Sequence, residues 1–105
     1  MRTFDQLTFN QLGMPGHLQA LARFGNKYEL SVVKMPRSTM YEVAIFDVVN
    51  DVTEGFVQLP GIHPNYGDGP ADDVIAGLTP ADVEAIMLKL ATVTMSPKEV
   101  DFTPV

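Results

Sequence analysis

The apolar residues of this chain change period once, and that change constrains its fold more than any other feature. Through the first sixty residues they alternate, whereas Val83, Ile86, Met87 and Leu90 recur at i, i+3, i+4 and i+7. Alternation places successive side chains on opposite faces of a strand. The 3.6-residue period instead lays an apolar stripe along one face of a helix. The sequence therefore predicts strands first and a helix afterwards.

The helix start is marked by several residues acting together. Thr79 is a capping residue, Pro80 occupies the first helical position, and Asp82 lies three residues after the cap. Leu78 is placed to staple onto Val83, and Asp82, Glu84 and Lys89 suit the helix dipole. Upstream, Leu18, Ala20, Ala22 and Phe24 alternate with more polar neighbours, and Tyr28, Leu30 and Val32 do the same beyond Gly25-Asn26. Glycine reaches the positive φ of a two-residue type II′ turn at little cost, so these two runs predict a hairpin. Leu18, Leu21 and Ala22 also fit a helix, but the strand that follows favours the hairpin.

Tyr41, Val43 and Ile45 give the clearest strand, Asn50-Asp51 a turn, and Glu54 to Leu59, through Phe56-Val57-Gln58-Leu59, a returning strand stopped by Pro60-Gly61. Phe4–Phe9 is a short, poorly patterned apolar segment, and residues 73–78 fit a short strand or a helical turn equally. Val93-Thr94-Met95 and the tail through Val105 suit an edge strand, or pairing with a second copy in a homodimer. The expected fold is α+β: an antiparallel sheet of three to five strands with one C-terminal amphipathic helix, about 79–92, packed on one face. One small domain spans 1–105, with 1–16 and 94–105 peripheral or extended.

A chain of 105 residues, 46% hydrophobic and 19% charged, has the composition of a single globular domain. It has no cysteine, hence no disulfide, no thiolate nucleophile and no zinc ribbon. No signal-peptide pattern opens the sequence, and its longest apolar run is four residues, against the about 20 a membrane helix needs. A soluble, cytoplasmic protein is expected. The net charge of −6 speaks against direct nucleic-acid binding and for solubility, or for a basic partner.

Ile62–Asp73 (IHPNYGDGPADD) invites a chemical reading, because it holds His63, Asp68, Asp72 and Asp73. A metal site needs several ligands at fixed spacing, and His63 has no second histidine or cysteine beside it. Asn65, Gly67 and Gly69 fall where a calcium loop would need its ligands. Pairing of His63 with an aspartate would serve a small hydrolytic or metal-assisted enzyme, but Pro64, Gly67, Gly69 and Pro70 make a connector the stronger reading. No G-x-S-x-G elbow, P-loop or G-x-G-x-x-G fingerprint is present, so no enzyme and no cofactor are expected. Met35-Pro36-Arg37-Ser38-Thr39-Met40 is the better binding candidate, since flexible thioethers flanking an arginine suit an adaptable protein contact. The candidate partner-binding residues are Met35, Arg37 and Met40 in that loop, with His63, Tyr66, Asp68 and Asp72 in the other. Tyr66 is a possible aromatic anchor.

The runs Tyr28-Glu29-Leu30-Ser31-Val32-Val33, Tyr41-Glu42-Val43-Ala44-Ile45 and Asp73-Val74-Ile75-Ala76-Gly77-Leu78-Thr79, with Asp82-Val83, resemble small accessory proteins of tailed bacteriophages over roughly residues 17–92. The 60–72 loop is longer here than in those proteins. The resemblance implies a non-enzymatic protein, in the cytoplasm of a bacterial host, that binds and modulates or inhibits a host protein such as a nuclease or defence component. A virion-associated structural subunit is the other non-enzymatic role it allows. It assigns no site residues.

Overall fold

The computed structural model describes residues 3–57, Ile62 and residues 74–95, the side chains of 93–95 excepted. A short strand β1 (Asn10–Gln11) leads into β2 (Leu18–Phe24), which turns back as β3 (Tyr28–Lys34). Ala20 stands opposite Val32, Ala22 opposite Leu30 and Phe24 opposite Tyr28, and all six are buried. Both apolar sets are even-numbered, so they share a face only when an odd number of residues joins the strands. The connection is accordingly the three-residue Gly25-Asn26-Lys27, one longer than the turn Gly-Asn predicts. A two-residue turn would set Ala22 opposite Glu29 and carry that carboxylate toward the core. Gly25 takes φ +58°, and the Lys27 N–H donates to the Phe24 carbonyl over 3.4 Å.

A six-residue connection leads to β4 (Tyr41–Val49), whose odd-numbered residues join the same face: Leu30 pairs with Ile45 and Val32 with Val43. Asn50 and Asp51, at φ +51° and +65°, then close a tight hairpin into β5 (Val52–Phe56). Both central residues of a type I′ turn need positive φ, which Asn and Asp adopt more cheaply than other side-chain-bearing residues. The returning strand thus begins at Val52 and ends at Phe56, where Glu54–Leu59 was expected; Gln58 and Leu59 lie outside the described residues. A register shift between Phe46 and Val48 brings Phe56 opposite Phe46, with ring centroids 4.6 Å apart.

Residues Val74–Leu78, which the sequence left between strand and helix, form β6, antiparallel to the start of β4. β4 is therefore central, with β3 along one edge and β5 and β6 sharing the other. Thr79 and Asp82 then cap helix α1 (Pro80–Met95) reciprocally. The Thr79 N–H donates to Asp82 Oδ2 over 2.9 Å, and the Asp82 N–H donates to Thr79 Oγ1 over 3.1 Å. Val83, Ile86, Met87 and Leu90 are fully buried against Leu30, Ile45, Ile75 and Leu78 in one core. Each such side chain contributes about 1.5–3 kcal/mol. The helix continues to Met95, so Val93-Thr94-Met95 is its last turn and not an edge strand. No glycine or proline interrupts the chain between Leu90 and Pro97, and nothing stops the helix earlier.

The N-terminal segment contributes a 3-10 turn over Phe4–Gln6. Its apolar residues Phe4, Leu7 and Phe9 are half-buried against the core, and the Phe4 N–H donates to Glu84 Oε1 on α1 over 2.9 Å. The fold is α+β, as the change of period predicts.

Candidate binding surface

Leu18 pairs with Lys34 and Lys34 with Tyr41, so the segment before β2 and the connection after β3 emerge at the same end of the sheet. They touch there. A Cβ built on Gly16 would lie 3.4 Å from the Pro36 Cα, and Gly16 sits at φ +83°. Each loop is closed by its own bonds. In the first, the His17 N–H donates to the Met14 carbonyl (3.2 Å) and the Leu12 N–H to the His17 carbonyl (2.7 Å).

In the second, the Ser38 N–H donates to the Met35 carbonyl over 3.1 Å, making Met35-Pro36-Arg37-Ser38 a β-turn. Pro36 supplies the fixed φ that favours its position. Arg37 follows at φ +64°, in the position where a type II turn calls for glycine. The Ser38 hydroxyl ties down the rest of the loop, donating to the Met40 carbonyl (3.2 Å) and accepting from the Met40 N–H (3.1 Å).

These fixed loops expose Met14, Met35 and Met40 at 57%, 43% and 38%, with Arg37 exposed among them. Arg37 has no ion-pair partner among the described residues. By contrast Arg23, near the end of β2, is engaged within the fold: its Nε pairs with Glu29 (3.2 Å), and its Nη2 donates to the Asp51 carbonyl and to Thr53 Oγ1. Methionine side chains bend to fit irregular partners and arginine supplies directional hydrogen bonds, so this surface is suited to recognising protein.

Of the candidate residues read from sequence, the structure thus brings Met35, Arg37 and Met40 together. His63, Tyr66, Asp68 and Asp72 lie outside the described residues, as does the pairing of His63 with an aspartate. From that loop only Ile62 is described; it is buried, and its carbonyl accepts a hydrogen bond from Lys89 Nζ over 3.1 Å. Met14 was missed. Its Met-Pro-Gly context reads locally as a turn, and the contact of its loop with Pro36, made through Gly16, becomes visible only once Leu18 is registered against Lys34.

Among the described residues there is no cluster of three or more His, Asp or Glu able to hold a metal ion. The Ser31 hydroxyl is buried and accepts from Gln19 Nε2 over 3.0 Å. Among the described residues no helix is long and apolar enough to cross a membrane. No family model, no curated protein and no solved structure matches this chain.

Proposed function

We propose that this chain is a small accessory protein of the tailed-bacteriophage kind, which binds a host protein in the bacterial cytoplasm and modulates or inhibits it. The observation that carries the reading is the methionine-rimmed end of the sheet. Two hydrogen-bonded loops expose three thioethers and an arginine that has no ion-pair partner among the described residues, in an arrangement the core does not need. Exposed flexible apolar groups around an arginine are a protein-recognition chemistry, and the loops offer no nucleophile–base pair. The resemblance to phage accessory proteins supports the same class of role, and a nuclease or defence component is the kind of target it suggests.

The test is affinity capture from bacterial lysate with the full chain and with a Met35→Ser/Met40→Ser variant. The expected result is a host protein that co-purifies with the wild type in stoichiometric amount, re-forms the complex from purified components, and is lost from the variant. Absence of a stoichiometric partner, or a partner that both proteins bind equally, would overturn the reading.

A further inference from the structure

The charge of these two loops is opposite in sign to that of the chain. The loop before β2 and the connection from Lys34 to Met40 contain two of the seven basic residues, Lys34 and Arg37, and no carboxylate, in a protein of net charge −6. His17 lies with them, half-buried. Among the described residues, the carboxylates toward this end belong to other elements: Glu84 Oε1 accepts the Phe4 N–H, and Asp5 lies beside Phe4, whose ring packs on Tyr41. Glu42 faces Val33 within the sheet, and Asp82 accepts the Thr79 N–H at the start of α1. Neither Lys34 nor Arg37 has an ion-pair partner among the described residues. A cation left unpaired among exposed apolar groups is most favourably covered by a carboxylate that brings its own apolar neighbours.

The backbone adds an independent indication. Arg37 holds a left-handed φ of +64°, where glycine would be unstrained, and its side chain makes no hydrogen bond or ion pair with the described residues. Strain kept at a residue with no structural task points to a task outside the chain.

Resting on the protein-binding reading above, we infer that this surface, formed by Met14, His17, Lys34, Met35, Arg37 and Met40, receives an acidic, apolar segment of the partner protein. The bound segment places an Asp or Glu carboxylate on Arg37, where the planar guanidinium can hold both oxygens. Leu, Met or Phe side chains beside that carboxylate lie on the three thioethers. Lys34 adds attraction without fixed geometry. The chain's overall negative charge opposes the approach of such a segment at long range, so specificity rests on close contact and not on steering.

The experiment is selection from an unbiased library of short peptides against the full chain, against Arg37→Glu and against Met35→Ser/Met40→Ser. Peptides selected on the wild type are expected to carry Asp or Glu beside Leu, Met or Phe. Their binding should weaken by about tenfold or more on either variant, as it does when an interface anchor is lost. Arg37→Glu should instead select Lys- or Arg-containing peptides. Arg37→Gly should also lose the wild-type peptides while its fold becomes more resistant to urea, which separates lost recognition from lost structure. If the selected peptides depend on Met35 and Met40 but are neutral or basic and indifferent to Arg37→Glu, the surface binds protein and the inferred partner chemistry is wrong. If no peptide distinguishes the wild type from the Met35→Ser/Met40→Ser variant, the binding surface itself is refuted.

Discussion

Arg37 and Arg23 place the same side chain in two different settings. Arg23 ties β2 to β3 and, across β4, to β5: its guanidinium spans Glu29, Thr53 and the Asp51 carbonyl, and Thr53 Oγ1 in turn donates to Glu29 Oε1 over 3.0 Å. Arg23→Ala would leave the Glu29 carboxylate, only 16% exposed, with the Thr53 hydroxyl as its remaining side-chain donor among the described residues. Because Arg23 itself is 37% exposed and screened by solvent, the expected loss is about 1 kcal/mol. Urea denaturation would show it, and an unchanged midpoint would mean that water replaces the guanidinium. Arg37→Gly should move the other way. It removes a left-handed strain of about 1–2 kcal/mol and adds about 0.5–1 kcal/mol of chain entropy in the unfolded state, for a net gain of about 0.5–1 kcal/mol. A lower midpoint for Arg37→Gly would show that the arginine supports its own loop. The sequence identifies Arg37 as exposed turn chemistry, but the sign of φ is set by the closed turn around it and cannot be read from Pro-Arg-Ser alone.

At the level of elements, what was legible depended on whether the local pattern was interrupted. α1 was legible throughout its apolar face because capping and periodicity agree. Thr79→Ala should cost about 1 kcal/mol by removing the acceptor of the Asp82 N–H. Circular dichroism at the helical band during thermal unfolding would measure it, and no change would mean that Pro80 and the Leu78 contact suffice without the cap. β6 was illegible for a definite reason. Val43 pairs with Ile75 and Tyr41 with Leu78, so two residues of β4 span three of β6. Gly77 at φ +71° accommodates the extra residue as a bulge. Ile75 and Leu78 therefore both face the core at a spacing of three, which in sequence looks as helical as it does extended. A comparable slip between Phe46 and Val48 displaced the expected β5 toward Leu59. In each case the alternation is correct on either side of the bulge and misleads across it. The candidate surface shows the same limit, since each loop is visible by itself while their contact at Gly16 and Pro36 depends on strand register.

For the molecule as a whole, one core must hold the N-terminal segment, the sheet and the helix together, because α1 covers only one face of the sheet. Leu21 and Phe56 on the other face remain 55% and 51% exposed. Phe4 is where the three parts meet. Its ring lies 5.2 Å from that of Tyr41 on β4 in an edge-on arrangement and 5.9 Å from that of Phe9. Its N–H is bound to Glu84 on the helix. Phe4→Ala keeps the backbone bond but empties the space between segment, sheet and helix. A fully buried phenylalanine loses about 3–5 kcal/mol on such truncation, and a half-buried one about 2 kcal/mol. With a single core, that loss should appear as one shifted unfolding transition, with the helical signal and the tyrosine environment changing together. A Phe4→Ala protein whose tyrosine signal changes well before its helix melts would instead show that the N-terminal segment and β4 form a separately stable unit, docked onto the core and not part of it. The methionine-rimmed loops lie at the same end as Tyr41, so the result also bears on recognition. A single transition means that the surface keeps its shape for as long as the fold persists, and that binding by Phe4→Ala at low temperature should match the wild type despite its lower stability.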